Sequence, residues 1–127
     1  MLEHHIAEFG RRLGMPDLAL DPEGLLSLAV DGLGILTLER GPGKPDAEDE
    51  LLLQAALPLP PADADAARRV LARCSWRHNH PYPLAGGVHR DQFVLLTRFP
   101  EDAVNASLLE NAFRFLLEQA ERIVRAE

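Results

Sequence analysis

The sequence predicts an α+β fold in which three helices pack on a twisted antiparallel sheet. Apolar residues recur at the helical period in three stretches, and they alternate or form continuous runs in five short stretches bounded by turn residues. The strands are grouped and do not alternate regularly with helices, which favours antiparallel pairing over βαβ units. The predicted order is α-β-β-β-α-β-β-α, and 127 residues correspond to a single domain spanning residues 1–127.

The first third of the chain predicts a short amphipathic helix followed by a β-hairpin. Ile6, Phe9 and Leu13 fall on one helix face, and Gly14 can end the helix in a left-handed cap. The run Asp21-Pro22-Glu23-Gly24 has the composition of a turn. Apolar residues then alternate with small or polar ones along two strands. The alternating residues are Leu26, Leu28, Val30, Leu36 and Leu38.

The middle of the chain predicts a strand, a second helix and an irregular strand. Leu51–Leu57 is a short apolar run closed by prolines, which favours a strand over a helix. The helix extends from Ala62 to about Trp76, with acidic residues in its first turn. Pro81–Gly87 contains two prolines and two glycines, so it predicts an edge strand or an irregular one.

The last third predicts the most regular strand and the longest helix. Gln92–Phe99 is rich in β-branched and aromatic residues and is stopped by Pro100. The final helix has a continuous apolar stripe along its length. Ser107 and Glu110 have the spacing of a capping box, and Asn105 is an alternative cap.

Composition excludes several classes of function. Acidic residues outnumber basic ones 20 to 13, so the net charge of -7 argues against binding to nucleic acid or to an anionic membrane. No apolar run approaches the roughly 18 residues that a membrane span needs. Cys74 is the only cysteine and the first residues lack a signal-peptide pattern, so we expect a cytoplasmic protein without an intrachain disulfide.

Candidate chemical groups are sparse. Cys74, His78, His80 and His89 could ligate zinc by type, but their spacing matches no established site. We therefore predict no metal ligand and no cofactor. A small metal-binding α+β enzyme or ligand-binding domain using His78, His80 and His89 is the alternative.

A hydrolytic site is a weaker hypothesis. His89-Arg90-Asp91 could pair with Ser75 or Cys74 as nucleophile, but those two residues lie in a helical pattern and not at a strained elbow. No glycine-rich phosphate-binding motif is present. We predict no catalytic residues and a protein that is not an enzyme.

Three parts of the chain resemble class I type III secretion chaperones of the CesT/SycE type. The first part carries Phe9, Leu13-Gly14, Leu20-Asp21, Gly24 and Leu26-x-Leu28. The second is the helix from Ala62 to about Trp76, and the third is Gln92–Phe99 with Asn105–Ala126. This last part is most similar to the chaperone subunits that serve secretion gatekeepers. Gly41–Asp46 and Pro81–Gly87 depart from the family pattern in detail.

The resemblance implies a dimeric chaperone that works without ATP. Its partner would be a secreted effector or gatekeeper protein, whose N-terminal segment it would bind in extended form and keep secretion-competent. Strand addition to a sheet edge is a physical route to such binding. The candidate client contacts are Ile6, Phe9, Leu13, Leu26, Leu28, Leu36 and Leu38. The alternative for these residues is the protein's own core.

The same resemblance places the dimer contact around the second helix. The candidate interface residues are Val70, Leu71, Cys74, Trp76 and Leu84. A homodimer is expected, and a heterodimer with a second small chaperone stays open. A regulatory anti-activator on the same fold is a further alternative, because fold does not determine function.

Overall fold

The computed structural model describes residues 2–30, 34–41, 49–58, 65–75 and 79–125. Its helices are α1 (Leu2–Arg12), α2 (Ala66–Arg73) and α3 (Ala106–Val124), with a short 3₁₀ turn at Glu101–Ala103. Its strands are β1 (Leu25–Val30), β2 (Gly34–Gly41), β3 (Glu50–Pro58), β4 (Ala85–His89) and β5 (Gln92–Pro100). The predicted order of elements is confirmed.

The five strands form one antiparallel sheet in the order β1-β2-β3-β5-β4. β1 and β4 are therefore the two edge strands. The predicted α+β class and antiparallel pairing are confirmed. The two edges differ in sequence, because β1 has six consecutive residues without a glycine while β4 has two adjacent glycines.

All three helices lie on one face of the sheet and enclose the hydrophobic core. Alternate residues of β2, β3 and β5 point into this core, where Leu38, Leu53 and Leu95 are at most 1% exposed. The opposite face of the sheet is not covered by any helix in the described part of the chain, and Leu25 and Ile35 are exposed there.

Polar contacts determine where α3 begins and how α1 attaches to it. Asn105 is the N-cap of α3, and its side-chain oxygen accepts a hydrogen bond from the backbone N–H of Leu108 at 2.8 Å. Ser107 and Glu110 instead accept hydrogen bonds from Arg12 of α1 at 3.0 and 3.2 Å. Of the two caps that the sequence allowed, the structure uses Asn105.

The second helix and the fourth strand pack closely. A side chain at Gly86 of β4 would come within 2.9 Å of Cys74 Sγ, so only glycine allows α2 to lie this near the strand. β4 begins only at Ala85, because the preceding segment contains Pro81 and Pro83, and proline cannot donate to a ladder. The predicted ends of α2, Ala62 and Trp76, lie outside the described residues.

Candidate functional site

Five of the seven predicted client contacts belong to the core. They are Ile6, Phe9, Leu28, Leu36 and Leu38, each at most 8% exposed. The apolar stripe of α1 and the alternating leucines of β1 and β2 face the same core. Their periodic spacing in the sequence therefore indicates that they are buried. Leu13 and Leu26 are only half-buried and pack against the margin of the core. For these two residues, client contact stays a prediction.

The outer edge of β1 offers free backbone groups. The carbonyl of Gly24 accepts from Arg40 N–H at 2.8 Å, so even-numbered residues here face β2. Odd-numbered residues face outward, because neighbouring residues of a strand direct their backbone groups to opposite sides. No strand in the described ranges pairs with this outer side, where the N–H and C=O groups of Ser27 and Ala29 point.

A turn closes one end of this edge. The backbone N–H of Asp21 donates to the carbonyl of Leu25 at 2.8 Å, and the Leu25 N–H donates to Asp21 Oδ1 at 3.0 Å. Asp21 Oδ1 also accepts from the N–H of Glu23 at 2.9 Å. Asp21 therefore satisfies the outward N–H and C=O groups of Leu25. The outward groups of Ser27 and Ala29 pair with no strand in the described ranges.

Nothing in β1 protects its edge from pairing. The strand reads Leu-Leu-Ser-Leu-Ala-Val, without a charge, a proline or a glycine. Exposed edge strands of monomeric proteins usually contain a residue of this kind, which hinders pairing with another strand. Leu20, which is half-buried, comes just before the Asp21 turn, and Met15, 39% exposed, lies in the loop after α1. The sequence marked Leu20 only through the family resemblance and did not mark Met15, because neither residue follows a helical or strand period.

Ion pairs between neighbouring turns lie on the exposed face of α1. Glu8 Oε2 accepts from Arg11 Nη2 at 2.6 Å, and Arg12 Nε lies 3.7 Å from Glu8 Oε1. The hydrogen bond from Arg11 holds the pKa of Glu8 below its ordinary value. These pairs are exposed, so they contribute little to stability and leave the apolar margin uncharged.

The predicted interface residues on α2 divide between inside and outside. Val70 is fully buried, and its side chain lies next to Gly86 of β4. Leu71 is 64% exposed, the most exposed of the large apolar side chains in the described part of the chain. Val70 is therefore core, whereas the apolar side chain of Leu71 is exposed. Trp76 lies outside the described residues.

Cys74, which follows Leu71 by three residues, and Leu84 line a groove. The groove has a volume of about 480 Å³, and its other described walls come from Ser75 and residues 79–83. A neighbouring groove of about 260 Å³ shares Pro83 and Leu84. Burial raises the pKa of the Cys74 thiol, which keeps it protonated and apolar at neutral pH. The exposed Leu71 and this groove of mixed polar and apolar lining therefore both involve the C-terminal end of α2.

The histidines are not assembled into a metal site in the described ranges. His80 Nε2 lies 2.6 Å from the carbonyl oxygen of Arg73, and His89 is exposed at the end of β4. No three His, Cys, Asp or Glu side chains among the described residues are placed to hold a metal ion together. His78 lies outside these residues. Among the helices described, none is long and apolar enough to cross a membrane.

Solved structures share this fold over nearly the whole chain. A chain of the ExsC–ExsE complex is 27% identical at a TM-score of 0.72, with 98% of this chain and 91% of that one covered. A chain of the HopA1–SchA chaperone–effector complex is 19% identical at a TM-score of 0.72, covering 96% and 91%. A chain of the structure of the Yersinia pestis type III secretion chaperone SycH with a stable fragment of YscM2 is 13% identical at a TM-score of 0.69, covering 97% and 99%. The last two likenesses show the fold alone.

Sequence comparison identifies the family. No curated protein sequence matches the chain. A model of the Tir chaperone protein (CesT) family, however, matches residues 4–124, which include every helix and strand except the first residues of α1. With the match extending over the fold and both candidate surfaces, the protein is a member of the Tir chaperone (CesT) family, a family of chaperones and not of enzymes.

Proposed function

We propose that the protein is a type III secretion chaperone that binds the N-terminal segment of a secreted effector or gatekeeper protein in extended form. It acts as a single domain in the cytoplasm and keeps the segment soluble without ATP. The observation that carries this proposal is the unguarded β1 edge, where Ser27 and Ala29 offer backbone donors and acceptors. Family membership and the chaperone–effector complexes among the similar structures support it.

A client strand added to β1 would gain contacts of two kinds. Backbone hydrogen bonds to Ser27 and Ala29 would hold any extended chain, whatever its sequence. Apolar client side chains on the helix-covered side would contact the half-buried Leu26 of β1, and Leu13 and Leu20, which also pack half-buried against the core, are further candidates. Two residues of β-ladder provide only a few hydrogen bonds. Most of the affinity would therefore come from burial of these side chains, at about 25 cal/mol per Å² of apolar surface.

We propose further that two copies associate through α2. The exposed Leu71 of each copy fits the groove beside Cys74 and Leu84 of the other, so the same surface serves both partners across a twofold axis. A heterodimer with a second small chaperone is the other outcome. Mass measurement in solution separates the two, since a homodimer has twice the chain mass without any added partner.

Co-expression with a client tests the edge directly. The client to be tested is chosen from secreted proteins encoded near this chain's gene, and it is produced with and without its N-terminal segment. Ala29→Pro removes the outward N–H of Ala29 and leaves the bonds between β1 and β2, so we expect at least about a tenfold loss of binding. Ala29→Val keeps the N–H and adds bulk at the same position, and it serves as the matched control.

The outcomes separate the alternatives. Binding that needs the client's N-terminal segment and is lost only in Ala29→Pro supports strand addition at β1. Equal losses in Ala29→Pro and Ala29→Val would point to a side-chain surface in place of the backbone edge. Binding that survives deletion of the N-terminal segment would overturn the proposed client site.

A further inference from the structure

Helix α2 is too short to be stable without contacts to the rest of the protein. It has eight residues, of which only Ala66 and Val70 are buried. Isolated helices shorter than about 12 residues are marginal in water, so α2 depends on its attachment to the rest of the fold. Its apolar contribution to that attachment is small, because the remaining residues of the helix are exposed or half-buried.

Three polar contacts, which we name the α2 clasp, attach the helix to its surroundings. Arg73 donates from Nε and Nη2 to Gln119 Oε1 of α3 at 3.0 and 2.8 Å. Arg69 Nε donates to the carbonyl of Ile123 at 2.8 Å, near the end of α3, where side chains commonly complete the hydrogen bonding of helix carbonyls. His80 Nε2 donates to the carbonyl of Arg73, the last residue of α2.

The clasp lies at a partly buried seam, which strengthens its contacts. Gln119 is only 5% exposed, so its amide oxygen depends on Arg73 for a hydrogen bond. The ring of His80 packs edge-on against Phe115 of α3, with centroids 5.3 Å apart. Hydrogen bonds from a charged donor are stronger than neutral ones, and solvent weakens them less at a seam than at the surface.

We infer that Arg73 and Gln119 are positioning residues for self-association. Neither belongs to the proposed contact surface of Leu71, Cys74 and Leu84, yet they determine where that surface lies relative to β4. Leu71 can enter a second copy's groove only while α2 is docked, so loosening the clasp weakens association without unfolding the core. This inference rests on the proposed association through α2.

Hydrogen exchange and sedimentation on the full chain test the inference together. In Arg73→Ala and Gln119→Leu, we expect the amides of residues 70–73 to exchange at least about tenfold faster, because undocking becomes more frequent. We expect the dissociation constant of the dimer to rise severalfold. The melting temperature of each variant should stay well above the temperature at which the assay is run. Gln119→Glu keeps an acceptor for both Arg73 donors and should restore slow exchange and association.

A matched control removes an arginine that does not touch α2. Arg114 pairs only with Glu110 one turn away on α3 in the described ranges, at 3.2 Å, so Arg114→Ala should change neither readout. Unchanged exchange in both clasp variants would overturn the clasp. Faster exchange with an unchanged dissociation constant would overturn the positioning role. If the unmodified chain runs as a monomer at every concentration, the proposed association fails, and the exchange rates still decide whether the clasp exists.

Discussion

Thr97 places a hydroxyl in the apolar core without a hydrogen-bond partner. The residue is 1% exposed, and its Oγ1 is the one buried side-chain polar atom in the described ranges that no group satisfies. Thr97→Val removes this unpaired oxygen and keeps the shape, so we expect the free energy of unfolding to rise by about 1 kcal/mol. Urea denaturation measures it, with Thr37→Val on the uncovered face as the control. A loss of stability in Thr97→Val would mean that the hydroxyl is satisfied.

At the scale of residues, sequence reasoning found burial more readily than function. The spacing of Ile6 and Phe9 predicted an apolar stripe, and the structure shows the stripe facing the core. An apolar residue every 3.6 positions in a helix, or every second position in a strand, does not distinguish a core from a binding groove, because both are lined by apolar side chains. Ser27 and Ala29 were not singled out, since their contribution comes from backbone groups that every residue carries.

The start of α3 allows a test at the scale of elements. Asn105 caps the helix, whereas Ser107 contacts Arg12 at the surface. We expect Asn105→Ala to lower the free energy of unfolding by about 1 kcal/mol, and Ser107→Ala to lower it by less than about 0.5 kcal/mol. Thermal and urea denaturation of the two variants provide the comparison. A larger loss in Ser107→Ala would assign the cap to the serine.

The elements themselves were predictable because local signals agree with the fold. Gly14, at φ +77°, follows the end of α1 in the left-handed conformation that glycine favours. β4 begins only after Pro83, because proline cannot donate a hydrogen bond to a β-ladder. Sheet order was not predictable, since it depends on contacts between β3 and β5 that are distant in sequence. The edge position of β1 follows from that order, so the candidate site could not be located before the structure.

Two adjacent residues of α2 separate folding from association in the whole molecule. Val70→Ala creates a cavity in the core and should lower the free energy of unfolding by about 2 kcal/mol. Leu71→Ser should shift the protein from dimer to monomer and, at a concentration where both proteins are monomeric, leave that free energy within about 0.5 kcal/mol. Denaturation and sedimentation measure the two effects. A Leu71→Ser protein that stays dimeric would place the interface elsewhere.

The family resemblance read from the sequence is confirmed, although the likeness to gatekeeper-chaperone subunits in particular stays a prediction. The resemblance depended on the placement of whole elements, from the opening helix to Asn105–Ala126, and not on any reactive group. Such placement survives extensive divergence, as the 13% identity to a chain of the SycH structure at a TM-score of 0.69 illustrates. Client identity depends on surface detail that divergence changes, so the sequence predicts the fold and leaves the partner open.

The Asp21 turn also has a consequence for how a bound chain would leave. By occupying the backbone of Leu25, it restricts the ladder to Ser27 and Ala29, so the proposed client strand would make few backbone bonds, each worth about 1 kcal/mol net. A short ladder can be peeled from one end under a modest pulling force, one bond after another, without unfolding the chaperone. Release of the proposed client would then require breaking only these few bonds and its apolar side-chain contacts, with the fold of the chaperone left intact.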